Sequence, residues 1–415
     1  MRSDKPIIRS ALENDFYKFT MGQLVFNKYK DVPVEFELKN RTKEVKLADV
    51  IDEGELRENL DEVGKLKFNK TDIHYLRGTN EYGDRMFSEE YLQFLENFCF
   101  PEYELGKVDG EYSLKFIGKW SEITYWEIPA LAIINELYYR SLIKSKNFTK
   151  LNNDLIYATG KSRLAKKIQI LKLNSDITFC DFGLRRRFSS EWQDYIDEVL
   201  AEELPEQFLG TSNTYIAMKH GLLPMGTSAH ELFMAMSGIV HSNYFTIGKS
   251  HNKVLQNWWE LYGYGLSVAL ADTYGTDFFF KDMTAKQARL WKGLRHDSGD
   301  PIVFGEKAIK FYESLGINPK EKLLVFSDGL DINAIVRIHN YFKDRIKVTF
   351  GWGTNLTNDM GLKALSLVIK LTKSNGYGTV KLSDNLAKAI GKTEDIELFK
   401  KIFNYSGNNY EECKY

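Results

Sequence analysis

The chain has 415 residues, of which 43% are apolar and 27% charged, with 56 Lys+Arg against 57 Asp+Glu; this fits a soluble, enzyme-sized protein of two or three units. Such a balance offers no basic surface for nucleic acid or for a membrane, and no run reaches the roughly 18 apolar residues of a membrane helix. Cys99, Cys180 and Cys413 are scattered, odd in number and form no Cys-x-x-Cys pair, which argues against a disulfide framework or zinc cluster and fits a reducing cytoplasm.

At the start of the chain Arg2, Asp4, Lys5, Glu13 and Asp15 interrupt any apolar signal-peptide core. Residues 1–126 mix short β-like runs, such as Val34 to Leu38, with charged helical stretches around Asp52 to Lys65 and Ser88 to Phe98, and read as an α+β domain. From Glu127 the texture changes. A helix is expected through Arg140, and then short apolar runs alternate with amphipathic segments: Asp176 to Cys180, Phe208 to Thr211, Ser267 to Ala271, Leu290 to Leu294, Leu323 to Phe326 and Val348 to Phe350. This is parallel βα architecture. Each run is followed at once by Gly, Ser, Thr, Asp, Arg or His, and a βα barrel delivers every such loop to one face. The expected fold is therefore α/β: an irregular, TIM-like barrel over residues 127–372, with a smaller α+β domain made of 1–126 and completed by 373–415. After about Thr372 the chain turns lysine-rich, with a turn at Gly376-Tyr-Gly378, and is expected to pack back on the N-terminal region.

No Walker A sequence and no complete Gly-x-Gly-x-x-Gly occurs, and His230-Glu231 lacks the second zincin histidine because Met234 stands there. His230 closes a Gly-Thr-Ser-Ala turn after an apolar run, where a side chain faces a ligand; a lone structural histidine is the alternative. Gly351-Trp-Gly-Thr-Asn-Leu-Thr357 and Ser327-Asp-Gly329 are candidate phosphate loops, since glycine lets backbone N–H groups approach oxygen while hydroxyls add donors. A plain glycine turn is the alternative. Arg295 and the run Arg185-Arg186-Arg187 offer guanidinium forks for carboxylate or phosphate, with one of the three consecutive arginines expected to be solvated or in a surface ion pair. Asp297 and Asp300 could orient ribose hydroxyls or magnesium-bound water, or serve only the turn. Tyr17 and Phe182 could stack on a flat heterocycle or belong to the core.

Five segments in order carry a resemblance: Asn14-Asp-Phe-Tyr-Lys-Phe-Thr-Met21, Asp181-Phe-Gly-Leu-Arg-Arg186, Gly226-Thr-Ser-Ala-His-Glu231, Arg295-His-Asp-Ser-Gly-Asp-Pro301, and Ser327-Asp-Gly-Leu-Asp331 with Phe350-Gly-Trp-Gly-Thr-Asn-Leu356. Together they resemble the nicotinate phosphoribosyltransferase family. The resemblance implies a homodimer with active sites shared between subunits, acting on nicotinate, 5-phosphoribosyl 1-pyrophosphate, ATP and Mg2+. It implies that Tyr17, reaching across the interface, and Phe182 hold the pyridine ring, that Thr227 and Arg295 contact nicotinate with Arg185 near the carboxylate or phosphoribosyl group, and that Gly353 and Thr354, beside Ser327 and Gly329, hold the 5′-phosphate. His230 matches the histidine that ATP phosphorylates, with catalytic carboxylates expected at Asp297 and at Asp272, the proposed orienting partner of the imidazole. In Gly-Thr-Ser-Asn213, Asn213 stands where the resemblance places an aspartate in enzymes acting on the amide, and so favours the acid. A non-catalytic phosphosugar sensor and a two-carboxylate glycoside hydrolase using Asp297 and Asp300 are the alternatives of another class.

Overall fold

The computed structural model describes residues 6–81, 83–145, 150–407 and 409–411. Arg2, Asp4, Lys5 and Cys413 lie outside the described residues. The expected α/β class holds, with one parallel and one antiparallel sheet of substantial size.

Strand β1 (Pro33–Asn40) places Val34, Phe36 and Leu38 on its buried face, the period-two pattern of a half-covered strand. It is central in an antiparallel five-stranded sheet. On one side lie β3 (Glu111–Lys119), with Phe36 opposite Phe116, and then β2 (Glu104–Val108). On the other side lies a strand from the far end of the chain, Leu367–Ser374, with Leu38 opposite Ile369, followed by Tyr377–Gly378. The chain thus rejoins the N-terminal region at Leu367, earlier than the expected boundary at 373. Leu367 to Ile369 are all buried, so their apolar run reads like another barrel strand until its partner is seen.

The barrel strands are β4 (Phe179–Asp181), β5 (Phe208–Thr211), β6 (Val268–Leu270), β7 (Gly293–His296), β8 (Leu323–Phe326) and β9 (Lys347–Trp352). They are parallel, in the spatial order β5-β4-β9-β8-β7-β6. Helices follow them, as connections between parallel strands require. A bridge from Thr211 to Pro224 extends the β5 edge, and no ladder among the described residues joins that edge to β6. The barrel is irregular for this reason. Helix His230–Ile239 leaves the Pro224 segment and packs against the small sheet, where Ser374 Oγ donates to the Ala235 carbonyl at 3.0 Å and Gly238 lies against the Ser374 backbone.

The first helix, Phe16–Tyr29, is fastened to the end of β5. Asp15 bridges Asn213, and the Phe16 amide donates to the Ser212 carbonyl at 2.8 Å. These contacts bring Tyr17 to the carboxyl-terminal face of the barrel.

Candidate active site

The loops after the barrel strands, the start of the first helix and the C-terminal strand close around one cleft of about 1390 Å3, part of it open to solvent. Tyr17, Phe182, Arg185, His230, Arg295, Asp297, Ser327, Gly329, Gly353 and Thr354 all line it. Residues separated by more than 300 positions therefore share one mouth, as a barrel dictates.

His230 opens helix His230–Ile239 and is 6% exposed. Its Nε2 lies 2.9 Å from Asp297 Oδ2 and its Nδ1 lies 2.9 Å from Thr273 Oγ1. A carboxylate can only accept, so Nε2 carries the proton and Nδ1 accepts from the threonine. Burial, aided by the charge of Lys381, pulls the imidazole down to about 4 against the upward push of Asp272 and Asp297, so it is neutral near pH 7. Asp272, the expected orienting partner, lies 3.7 Å from Nε2 and is fully buried behind the ring. It accepts from Ser298 Oγ at 2.5 Å and faces Lys381 at 3.6 Å. The carboxylate in hydrogen-bond contact with His230 is Asp297. Burial opposes its ionisation, but the His230 hydrogen bond, Arg295 and Lys381 hold it well below the usual carboxylate range.

His230, Asp272 and Asp297 have donor atoms within 4.8 Å of one another, a spacing a divalent ion could use. Lys381, however, stands 3.6 Å from Asp272 and 4.0 Å from Asp297. An ammonium already occupies the favourable electrostatic position, and these residues do not suit a resident magnesium ion.

The phosphate-loop glycines divide their work. A Cβ on Gly351 would meet the Phe182 ring at 2.3 Å, so Gly351 makes room for that ring. Gly353 precedes the short turn Thr354–Thr357, and Gly329 adopts φ 57°, a left-handed conformation glycine favours. Ser327 Oγ lies 3.1 Å from Asp297 Oδ1, which ties this loop to the histidine. Arg295 Nη1 donates to the Ser228 carbonyl at 3.0 Å, while its buried Nε has no protein partner among the described residues.

Several sequence expectations are redirected. Tyr17 and Phe182 both line the cleft of their own chain; a Cβ on Gly226 would meet the Tyr17 amide nitrogen at 2.9 Å, so the backbones fit only with glycine there. Thr227 does not line the cleft, and its carbonyl accepts from Thr20 Oγ1 at 2.7 Å. Asn213 points into the core, where it caps helix Thr214–His220 through Ile216 N and donates to Gln193 at 3.1 Å. Its neighbour Ser212 is the residue of that loop on the cleft, donating to Asp15 Oδ1 at 2.6 Å. Of the three arginines, Arg185 and Arg186 line the cleft, whereas Arg187 is fully buried in an ion pair with Glu13 at 2.6 Å. None is the surface pair expected from sequence. Asp300 is exposed and caps helix Pro301–Ser314 through Ile302 N and Val303 N, so Asp297 and Asp300 do not flank a sugar and the hydrolase alternative loses its geometry.

Sequence reasoning missed Asp15, Glu127, Glu231, Lys370, Lys381 and Lys388, all on the cleft wall. The lysine-rich tail was visible, but nothing local shows that a β-strand turns Lys370 inward. Lys388 also donates to the Asp297 carbonyl at 3.0 Å and pairs with Asp328.

Comparison with known proteins agrees with this architecture. The model of the nicotinate phosphoribosyltransferase (NAPRTase) family matches residues 177–407, and that of the NAPRTase N-terminal domain matches residues 12–135. The chain belongs to the nicotinate phosphoribosyltransferase family. A solved nicotinate phosphoribosyltransferase from Porphyromonas gingivalis is 32% identical, with TM-score 0.83 over 96% of this chain and 100% of that one. One from Vibrio cholerae is 32% identical, with TM-score 0.85 over 97% and 95% of the two chains. A putative one from Saccharomyces cerevisiae is 26% identical, with TM-score 0.83 over 98% and 100%.

Proposed function

We propose that this protein joins nicotinate to 5-phosphoribosyl 1-pyrophosphate, giving nicotinate mononucleotide for NAD salvage, and couples that step to ATP through phosphorylation of His230. The observation that carries the reading is a neutral imidazole, bonded to Asp297, in the same cleft as the glycine-threonine phosphate loop and two aromatic rings.

Displacement at ribose C1 builds positive charge on the sugar and negative charge on the leaving pyrophosphate. The pyridine nitrogen is already a nucleophile, so alignment counts for more than a general base. Tyr17 and Phe182 would hold the ring, Arg185 and Arg295 would face the carboxylate, and Ser327, Gly329, Gly353 and Thr354 would hold the 5′-phosphate. Lys381 and Lys388 add positive charge for the pyrophosphate. Magnesium would enter bound to the pyrophosphate of the substrate.

In the coupling step an imidazole lone pair forms the N–P bond to the γ-phosphoryl group, the bridging P–O bond breaks, and ADP leaves with the electron pair while the ring proton passes to Asp297. A sensor would need the phosphate loop but not this histidine pair.

Product analysis tests the proposal. Protein mixed with nicotinate, phosphoribosyl pyrophosphate and magnesium should release mononucleotide and pyrophosphate, faster with ATP. His230→Ala should retain slow transfer and lose all dependence on ATP. Coupling that persists in the variant would refute the role of His230, and absence of both products in the wild type would refute the enzyme reading.

A further inference from the structure

Glu127 opens helix Glu127–Ser145 and is 4% exposed, yet it lines the cleft. Its carboxylate lies 2.8 Å from Lys18 Nζ, 3.6 Å from Lys370 Nζ and 3.8 Å from Arg185 Nη1. The oxygen facing Lys370 and Arg185 is Oε1, which is buried and makes no hydrogen bond. Both separations exceed hydrogen-bond length. Glu127 therefore neutralises these cations by charge while leaving their N–H donors for a ligand.

Lys18 does not depend on Glu127 alone. It also lies 2.5 Å from Glu231, which accepts from Trp120 Nε1 at 2.6 Å and Thr124 Oγ1 at 2.7 Å. Lys18 is the nearest cation to Glu127, followed by Lys370 and Arg185; because Glu231 still balances Lys18 when Glu127 is neutral, the charge lost with Glu127 is left uncompensated at the Lys370 and Arg185 end. Burial pulls the Lys370 ammonium down to about 8, against the opposing attraction of Glu127. A buried carboxylate that offsets a cation beside the proposed nicotinate subsite lowers the anionic charge the subsite can attract.

We infer that Glu127 is a specificity-determining residue that restricts the heterocycle subsite to pyridine monocarboxylates and rejects pyridine dicarboxylates. This rests on the proposed assignment of nicotinate to the Arg185 end of the cleft. Without Glu127 the subsite gains one unit of positive charge, and a dianion gains about twice the Coulomb attraction that a monoanion does.

The test is calorimetric binding of nicotinate and of pyridine-2,3-dicarboxylate at pH 6.5, where Lys370 is protonated in the wild type. The readout is the ratio of the two dissociation constants, which needs no turnover. Glu127→Gln should shift that ratio toward the dicarboxylate by at least about tenfold, and Glu127→Asp, which keeps the charge, should stay near wild type. Lys370→Gln should shift it the opposite way, and this arm stands even if Glu127→Gln fails to fold. A ratio unchanged within about twofold in Glu127→Gln and Lys370→Gln overturns the inference, as does Glu127→Asp behaving like Glu127→Gln. Wild type that binds nicotinate but forms no mononucleotide refutes the proposed activity alone.

Discussion

The imidazole Nε2 of His230 stands 2.9 Å from the Oδ2 of Asp297, while Asp272 is held 3.7 Å away. Only the first separation is a hydrogen bond. Asp297→Asn should slow phosphohistidine formation by about 100-fold, measured by transfer of labelled γ-phosphate from ATP. Asp272→Asn should slow it by less than about tenfold and should mainly lower the melting temperature, since it disturbs Ser298 and Lys381. The reverse ranking would return the partner role to Asp272.

Stability should depend on pH through the same histidine. Its folded pKa, about 4, lies below the ordinary histidine value of 6.5, so the unfolded chain binds a proton that the native chain refuses. His230 contributes nothing to the pH dependence above about 7, and stability falls as pH drops from about 6.5 to about 4, by roughly 3 kcal/mol at full development. His230→Gln should flatten that part of the urea-denaturation profile. An identical slope in the variant would show that other groups titrate there.

Arg185 and Arg187 should separate cleanly. Arg187→Met leaves Arg9 as the remaining partner of the buried Glu13, whose pKa is held near 2 against burial by Arg187 and Arg9, and should cost about 2–4 kcal/mol of stability, read as a fall in melting temperature. Arg185→Ala should melt near wild type and lose about 100-fold in kcat/KM for nicotinate. Normal stability in Arg187→Met would contradict the buried pair.

Because Tyr17 and His230 line the same cleft in one chain, mixing Tyr17→Ala with His230→Ala should restore no ATP-coupled activity. Recovery on mixing would mean that the sites exchange residues between subunits.

Discrimination between acid and amide should follow Ser212 and not Asn213. Ser212→Asp adds a carboxylate to the cleft beside Asp15 and should lower kcat/KM for nicotinate relative to nicotinamide by at least about tenfold. Asn213→Asp retains a good N-cap and should leave that ratio unchanged. A larger effect at Asn213 would restore the sequence reading.

Much of this was legible along the chain. Apolar runs ending in Gly, Ser, Thr, Asp, Arg or His marked the strands and the loops they deliver, because parallel strands need both faces covered and their carboxyl ends open onto a ligand. Phe182, Arg185, His230, Arg295, Asp297 and the glycine-threonine loop follow such runs, Tyr17 was singled out as an aromatic and through the resemblance, and all line the cleft. The tertiary structure alone decided which of two adjacent side chains faces that cleft: Ser212 and not Asn213, Arg186 and not Arg187. It also chose Asp297 over Asp272 as the histidine's partner and brought Lys370 in on a strand paired to β1. Composition and spacing specify which element forms, but a one-residue step reverses a side chain's direction. The contacts that select among such steps join positions up to hundreds of residues apart, and they exist only once the barrel and the small sheet have packed.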